Sequence, residues 1–273
     1  MFVNPSGLTV LGKNNGIPRG PLRQMMLPTA SAWLIALAAP CVGSFIGLVA
    51  HRLPRDGKIV ADRSRCAACG AVLRWHELVP IASWVAQSGR CRRCGASIGW
   101  ATIGAEIGAL AIAAWVVMAL PEWAWLAGLA LGWSLLLLSL IDLETMLLPD
   151  RITLPLLAGG LLATAMLAPE RWYEHAVGAA VGFASLAALA ALYEKARGRT
   201  GLGGGDAKLF GAIGAWVGVM GLPSALLIAG LAGLAHALVS GRGRLAAGAR
   251  IPFGPALALG GWIVWLHGPL AWS

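Results

Sequence analysis

The chain has 273 residues, of which 58% are hydrophobic and only 12% charged, with a net charge of +9. A soluble domain carries roughly twice that charged fraction, so the composition excludes one and indicates a chain that crosses a lipid bilayer several times. The basic excess does not indicate nucleic acid, because the lysines and arginines gather in the gaps between apolar runs, where membrane topology accounts for them.

Residues 1–28 hold Lys13, Arg19 and Arg23 without an acid and are rich in Gly, Pro and Asn, which predicts a disordered tail. Residues 29–50 carry no charge and are long enough to cross about 30 Å of hydrocarbon as a helix. The length of this run and the lack of a small-x-small site before a soluble domain predict a retained span instead of a cleaved signal. Cys41 is expected to pack within that helix. Gly43 and Gly47, four apart on one face, predict a close helix–helix contact. Residues 51–100 then form a polar insert with nine basic residues against Asp56, Asp62 and Glu77. Further spans are expected at 101–120, 123–141, 152–168, 176–193, 207–221, 224–240 and 252–268. The division at Gly221, Leu222 and Pro223 rests only on turn residues inside one apolar stretch.

The expected architecture is therefore an all-α polytopic membrane protein of about eight transmembrane helices, with a small insert between helices 1 and 2. Its parts are a tail at 1–28, a first helix at 29–50, the insert at 51–100 and a transmembrane domain at 101–268. Alternate loops fall on one side, and 17 of the 21 Lys and Arg residues lie on the side of the insert. The positive-inside rule makes that side cytoplasmic, with only the tail's three charges and Arg171 opposing.

Cys66, Cys69, Cys91 and Cys94 make two C-x-x-C pairs, CAAC and CRRC, separated by 21 residues. Four thiolates from two tight turns suit a tetrahedral structural zinc site with no open position for a catalytic water. Disulfides would not persist in the reducing compartment to which the charge count assigns the insert. His51 and His76 are not needed as ligands, since four sulfurs fill the site.

Four acids sit at span ends on the insert side: Asp142, Glu144, Asp150 and Asp206. A charge at the centre of a span costs about 2.5–3.5 kcal/mol, so carboxylates at helix ends are cheaper and can still face a polar cavity. Asp142 follows apolar Ile141 and is the better cavity candidate. Asp150, after Pro149, is expected to cap the next helix, and Glu144 to be solvated. Asp206 stands in GLGGGDAKL, whose glycines allow positive φ and close backbone approach. That acid also has the position of a helix N-cap, which remains the simpler alternative. If Asp142 and Asp206 meet, one can act as base on a water while the other polarises the scissile carbonyl, as in an aspartic protease. Lys208 is available to bias that pair or to bind the helix end.

The order of these motifs resembles the type IV prepilin peptidase family. The resemblance is carried by GSFIGLVAHRLP at 43–54, RSRCAACGAVLRW at 63–75, GRCRRCGASI at 89–98, Asp142 with LLPDRITLPLL, GLGGGDAKL with GAIGAWVG, and IPFGPALALGG at 251–261. It covers about residues 40–261. It implies a multi-pass aspartic endopeptidase of the bacterial inner membrane that cuts the basic leader from prepilins or type II secretion pseudopilins at the cytoplasmic face. Asp142 and Asp206 would be its catalytic pair and the four cysteines its zinc ligands. It also implies N-methylation of the new N-terminus with S-adenosylmethionine, an activity commonly associated with the insert. The chain departs from the family pattern at Ala67, where proline is usual, and at Trp100–Thr102, where arginine-tyrosine-proline is usual. No G-x-G-x-x-G after a strand supports the methyl donor independently. Two other readings compete: a proton-coupled transporter, which calls for acids deep within several spans and of which only Glu106 is an example, and a non-catalytic membrane subunit of a pilus or secretion machine.

Overall fold

A computed structural model describes residues 29–55, 63–198, 201–240 and 252–270. The expected tail at 1–28 and nearly all of the basic loop at 240–250 lie outside these residues. The helices are α1 (Ala30–Arg52), α2 (Ala82–Ala86), α3 (Trp100–Ala119), α4 (Trp125–Thr145), α5 (Asp150–Leu167), α6 (Trp172–Arg197), α7 (Gly204–Ser240) and α8 (Gly254–His267). Among the described residues there is no β-strand, only isolated bridges at Arg65–Val72 and Arg90–Ser97 in the insert. Six of the helical segments are long and apolar enough to cross a membrane, and the protein is a multi-pass membrane protein.

Local sequence accounts for the helix ends. Thr29 caps α1 through its side chain, which accepts from the Ala32 N–H. Met146 stops α4 in the left-handed region, and Gly198 does the same for α6. The buried faces are rich in Gly and Ala, whereas Leu34, Leu37, Leu126, Leu162 and Leu189 point outward. That inversion of a soluble pattern is what lipid rewards, since small residues let helices approach and large ones meet acyl chains.

The last three expected spans are resolved by contact register. At 37 residues α7 looks like one helix, but Gly218 inside it has φ 71° and ψ 173°, a conformation open to glycine. A Cβ at Gly261 would meet Ile213, while one at the adjacent Gly260 would meet Ala225. In a continuous helix, residues 213 and 225 would stand about 18 Å apart along the axis. They share one level of α8, so the chain reverses at Gly218. The arm at 204–217 runs parallel to α8, with Trp216 against Trp265, and the arm at 219–240 runs antiparallel, with Gly233 against Phe253. The reversal lies a few residues before the expected division at 221–223.

Around this fold-back, α6 and α5 cover one side and α8 the other, while α4 joins α8 to α3 and α1. Gly43 of α1 packs on the backbone of Ala105 and Glu106, so the expected close contact is present. Cys41, expected to be packed, is exposed on α1, because the buried stripe of that helix runs through Ala39, Gly43, Ile46 and Ala50.

A Cβ at Gly178 would lie 2.6 Å from the Gly214 carbonyl oxygen and 2.8 Å from the Gly218 carbonyl carbon, both backbone atoms that cannot rotate away. Gly178→Val should therefore destabilise the protein by about 1–3 kcal/mol or more. Thermal melting in detergent checks this, with Gly104→Ala, which faces open space, melting no lower than the parent.

Candidate functional site

Two features occupy the end of the bundle that carries the insert. The first is the sulfur cluster. Cys66 and Cys91 open two turns of the same design, in which the Cys66 N–H donates to the Ala71 carbonyl and the Cys91 N–H to that of Ala96. Gly70 and Gly95 close them at φ 68° and 71°. Each turn presents two sulfurs on one side, and all four lie within 4.8 Å of one another, so the cluster can hold a metal ion. Sulfurs around a tetrahedral zinc at about 2.3 Å stand about 3.8 Å apart, which is the Cys66–Cys94 separation of 3.8 Å. The backbone N–H groups of Cys69 and Ala68 aim at the Cys66 sulfur and bring that thiol down to about 6. The Ala96 N–H favours the Cys94 thiolate, but desolvation and the crowd of neighbouring sulfurs outweigh it and push Cys94 up to about 11. Four thiolates this close need a cation between them to ionise together.

The second feature is a cavity of about 420 Å³ between the C-terminal end of α4, the turn into α5 and the start of α7. Asp142 and Asp206 both line it, 4% and 9% exposed, and interact electrostatically. Asp142 uses Oδ2 to accept the Gly254 N–H at 2.8 Å. Asp206 uses Oδ2 to accept the Gly203 N–H at 3.1 Å. Both donors stand at helix N-termini, where backbone N–H groups lack intrahelical partners. No second bond engages either Oδ1 among the described residues, so each carboxylate keeps an oxygen for something else. Glycine is required at the contacts: a Cβ at Gly254 would lie 2.7 Å from Asp142 Oδ2, and one at Gly205 would strike Leu148.

The other acids are drawn elsewhere. Asp150 is the first residue of α5, with Pro149 in the cap position, so it is not the expected cap. Its carboxylate instead binds Lys208 at 2.7 Å, an exposed pair worth at most about 1 kcal/mol. Lys208 therefore neither touches the aspartate pair nor caps the helix. Glu144, expected to be solvated, pairs with Arg55 at 3.0 Å and ties the end of α4 to that of α1. Asp206 is the third helical residue, not the N-cap, and bonds back to the cap glycine, as the acid of a capping box does. His51 faces Glu144 and His76 meets Trp75 edge to face, and neither belongs to the sulfur cluster. Gly254 is a functional contact with no chemistry of its own to announce it; Pro255 directly after it, a signal for a helix start, is the local mark of its free N–H.

Comparison with known proteins places the sequence in a family. The type IV leader peptidase family matches residues 129–238, which include both aspartates. The bacterial peptidase A24 N-terminal domain matches residues 37–120, which include all four cysteines. A protein of Aeromonas hydrophila described as prepilin leader peptidase/N-methyltransferase is 35% identical over 89% of this chain and 92% of its own length. Proteins of the same description from Burkholderia pseudomallei and Pseudomonas aeruginosa are 38% and 35% identical, over 89% and 88% of this chain and 88% and 92% of their own lengths. No solved structure matches.

The sulfur geometry predicts one bound metal ion per chain. Replacing Cys66 and Cys91 together by Ser should remove it and loosen the insert, since the segment at 63–99 buries only Cys91 and Gly89 of its own. Elemental analysis and limited proteolysis of purified protein read the two effects; metal at full occupancy in the double variant would refute the site.

Proposed function

The chain belongs to the type IV leader peptidase family, and from that premise we propose that it is an aspartic endopeptidase whose paired carboxylates Asp142 and Asp206 remove the leader from prepilins or pseudopilins. The observation that carries this reading is that two buried carboxylates share one cavity, each held by a single backbone N–H and each with an oxygen to spare.

In that arrangement one aspartate takes a proton from a water, and the resulting oxygen nucleophile attacks the scissile carbonyl carbon. The other aspartate donates a proton to the carbonyl oxygen. Collapse of the tetrahedral intermediate breaks the C–N bond and sends a proton to the departing amine. The two groups then titrate and act as a pair. Gly254 and Gly203 fix the orientation of each carboxylate without adding charge, which leaves the acid and base roles to the aspartates themselves. A transporter reading finds no comparable support, because the buried acids gather at one end of the bundle instead of marking a path through it.

The four cysteines are assigned to structural zinc, whose closed sulfur shell leaves the reaction to the aspartates. The division proposed is a tail at 1–28, the first helix at 29–50, a zinc insert at 51–100 and a catalytic membrane domain at 101–268. The excess of basic residues on the insert side supports insertion in the bacterial inner membrane, with the aspartates facing the cytoplasm and the leader. The relatives' names add N-methylation, and we include it: the methyl donor, S-adenosylmethionine, supplies the methyl group when bound.

Asp142→Asn or Asp206→Asn should lower leader cleavage by roughly three orders of magnitude or more, and the double change should be scarcely worse. Asn can still accept the Gly203 or Gly254 N–H, so membrane insertion and metal content should stay as in the parent. Glu144→Gln and Asp150→Asn should stay within a few-fold of it, because their partners are surface cations. Cleavage of a prepilin peptide by reconstituted protein measures all five. Near-parental turnover by folded Asp206→Asn would reduce that residue to its helix-capping role.

A further inference from the structure

A peptide bond inside a helix is a poor target for two carboxylates, because its carbonyl is already bonded to an N–H one turn on and side chains crowd its flanks. A substrate must therefore bring an unwound stretch to Asp142 and Asp206. Unwinding frees N–H and C=O groups that cost free energy unless they find partners. Helical walls offer none, since their own backbone groups are paired. Non-helical backbone in the wall of the aspartate cavity can supply them.

Such a stretch lines the cavity between α4 and α5. Met146 ends α4 in the left-handed region at φ 54°, and its N–H is used by the Asp142 carbonyl at 2.9 Å. At the other end the Pro149 carbonyl accepts the N–H groups of Ile152 and Thr153. Leu147 and Leu148, between them, belong to neither helix nor turn. The residue before a proline is biased to extended backbone, which sets Leu148 up as a one-residue strand. Neither the N–H nor the C=O of Leu148 has a hydrogen bond among the described residues. Its main chain is turned toward the start of α7, since a Cβ at Gly205 would lie 2.8 Å from the Leu148 Cβ and 3.5 Å from its N. Glycine leaves that N–H uncovered. A Cβ at the adjacent Gly204 would meet nothing, so there is open space beside the segment. The segment is thus tied to Asp142 at one end and touches the residue before Asp206 at the other.

We infer that Leu148 is a docking edge for the substrate backbone: its N–H donates to a substrate carbonyl and its C=O accepts a substrate N–H, which holds the unwound peptide as a short strand across the aspartate pair. Pairing of this kind draws affinity from the main chain and so serves substrates that differ in sequence. Side chains of the bound stretch alternate in direction, and those turned toward Gly204 and Gly205 meet a wall without side chains of its own. The inference rests on the endopeptidase reading and assigns the residue that binds, as distinct from the two that react.

The test is cleavage kinetics of the reconstituted parent protein on a prepilin peptide in which one amide at a time, the scissile one excepted, is replaced by an ester that deletes a single N–H. KM should rise about three- to tenfold, the worth of one hydrogen bond, at the amide that meets the Leu148 carbonyl. The amides directly before and after it should respond little, because neighbouring N–H groups of a strand point to opposite sides. Leu148→Pro deletes the enzyme's N–H and should raise KM by a similar factor with kcat kept, the signature of binding shared by ground and transition states. Equal effects at consecutive amides, or none at any, overturn the docking edge, as does a folded Leu148→Pro with the parent's KM. The ester scan decides alone if Leu148→Pro fails to insert. A flat scan in a parent whose cleavage depends on Asp142 and Asp206 refutes only this edge, whereas a parent that cleaves no prepilin peptide refutes the endopeptidase reading beneath it.

Discussion

Two backbone N–H groups make the buried aspartate pair of this protein possible. A carboxylate withdrawn from water needs a hydrogen-bond donor, and the obvious donors, Lys and Arg side chains, would also neutralise it. Gly203 and Gly254 supply the bond from helix N-termini, where a spare N–H and a fraction of positive charge are available. Lys208, two residues from Asp206, is held instead by Asp150 at 2.7 Å. Each acid is thus oriented while its chemistry is left intact.

Bringing those helix ends to one level is the task of the glycines. Gly254 lies against Asp142, Gly205 against Leu148, Gly260 against Ala225 and Gly178 against Gly214. Every one of these contacts is too close for a side chain, so each sets the height of one helix against its neighbour to within a fraction of a turn. Apolar burial alone could not do this, because acyl chains solvate leucine as well as another helix does. The insert follows the same logic by other means. Its loops have little apolar content, and a cluster of four sulfurs that can hold a metal ion, with the Trp84–Trp100 contact, stands where packing is thin.

Much of this was legible because the signals are local. Uncharged runs of span length, two C-x-x-C pairs and an acid among glycines each lie within a few consecutive residues, and all reappear in the fold. What escaped depends on residues far apart in the chain. The Asp142–Gly254 bond joins positions 112 residues apart, and nothing near either one announces the other. Asp150 was read as a cap because capping statistics favour Asp, but Pro149 takes that place and frees the carboxylate for Lys208. The reversal was expected at Gly221 to Pro223 for their turn character; it occurs at Gly218, whose positive φ suits glycine and whose backbone lies against Gly178 of α6. Glu106 was visible as a lone acid in an apolar run, but the Ile81 N–H that it accepts comes from the insert, 25 residues away.

The reversal at Gly218 has a consequence for how the chain enters the membrane. Between Leu209 and Ser240 there is no Asp, Glu, Lys or Arg, and the turn that joins the two arms uses a single residue in place of a hydrophilic loop. Most pairs of spans require a polar connection to be carried across the hydrocarbon. Here the leading tip is Val217, Gly218 and Val219, so the pair can enter as one hairpin without moving any charge through the bilayer. Both of its ends lie at one level of the bundle, together with Asp206.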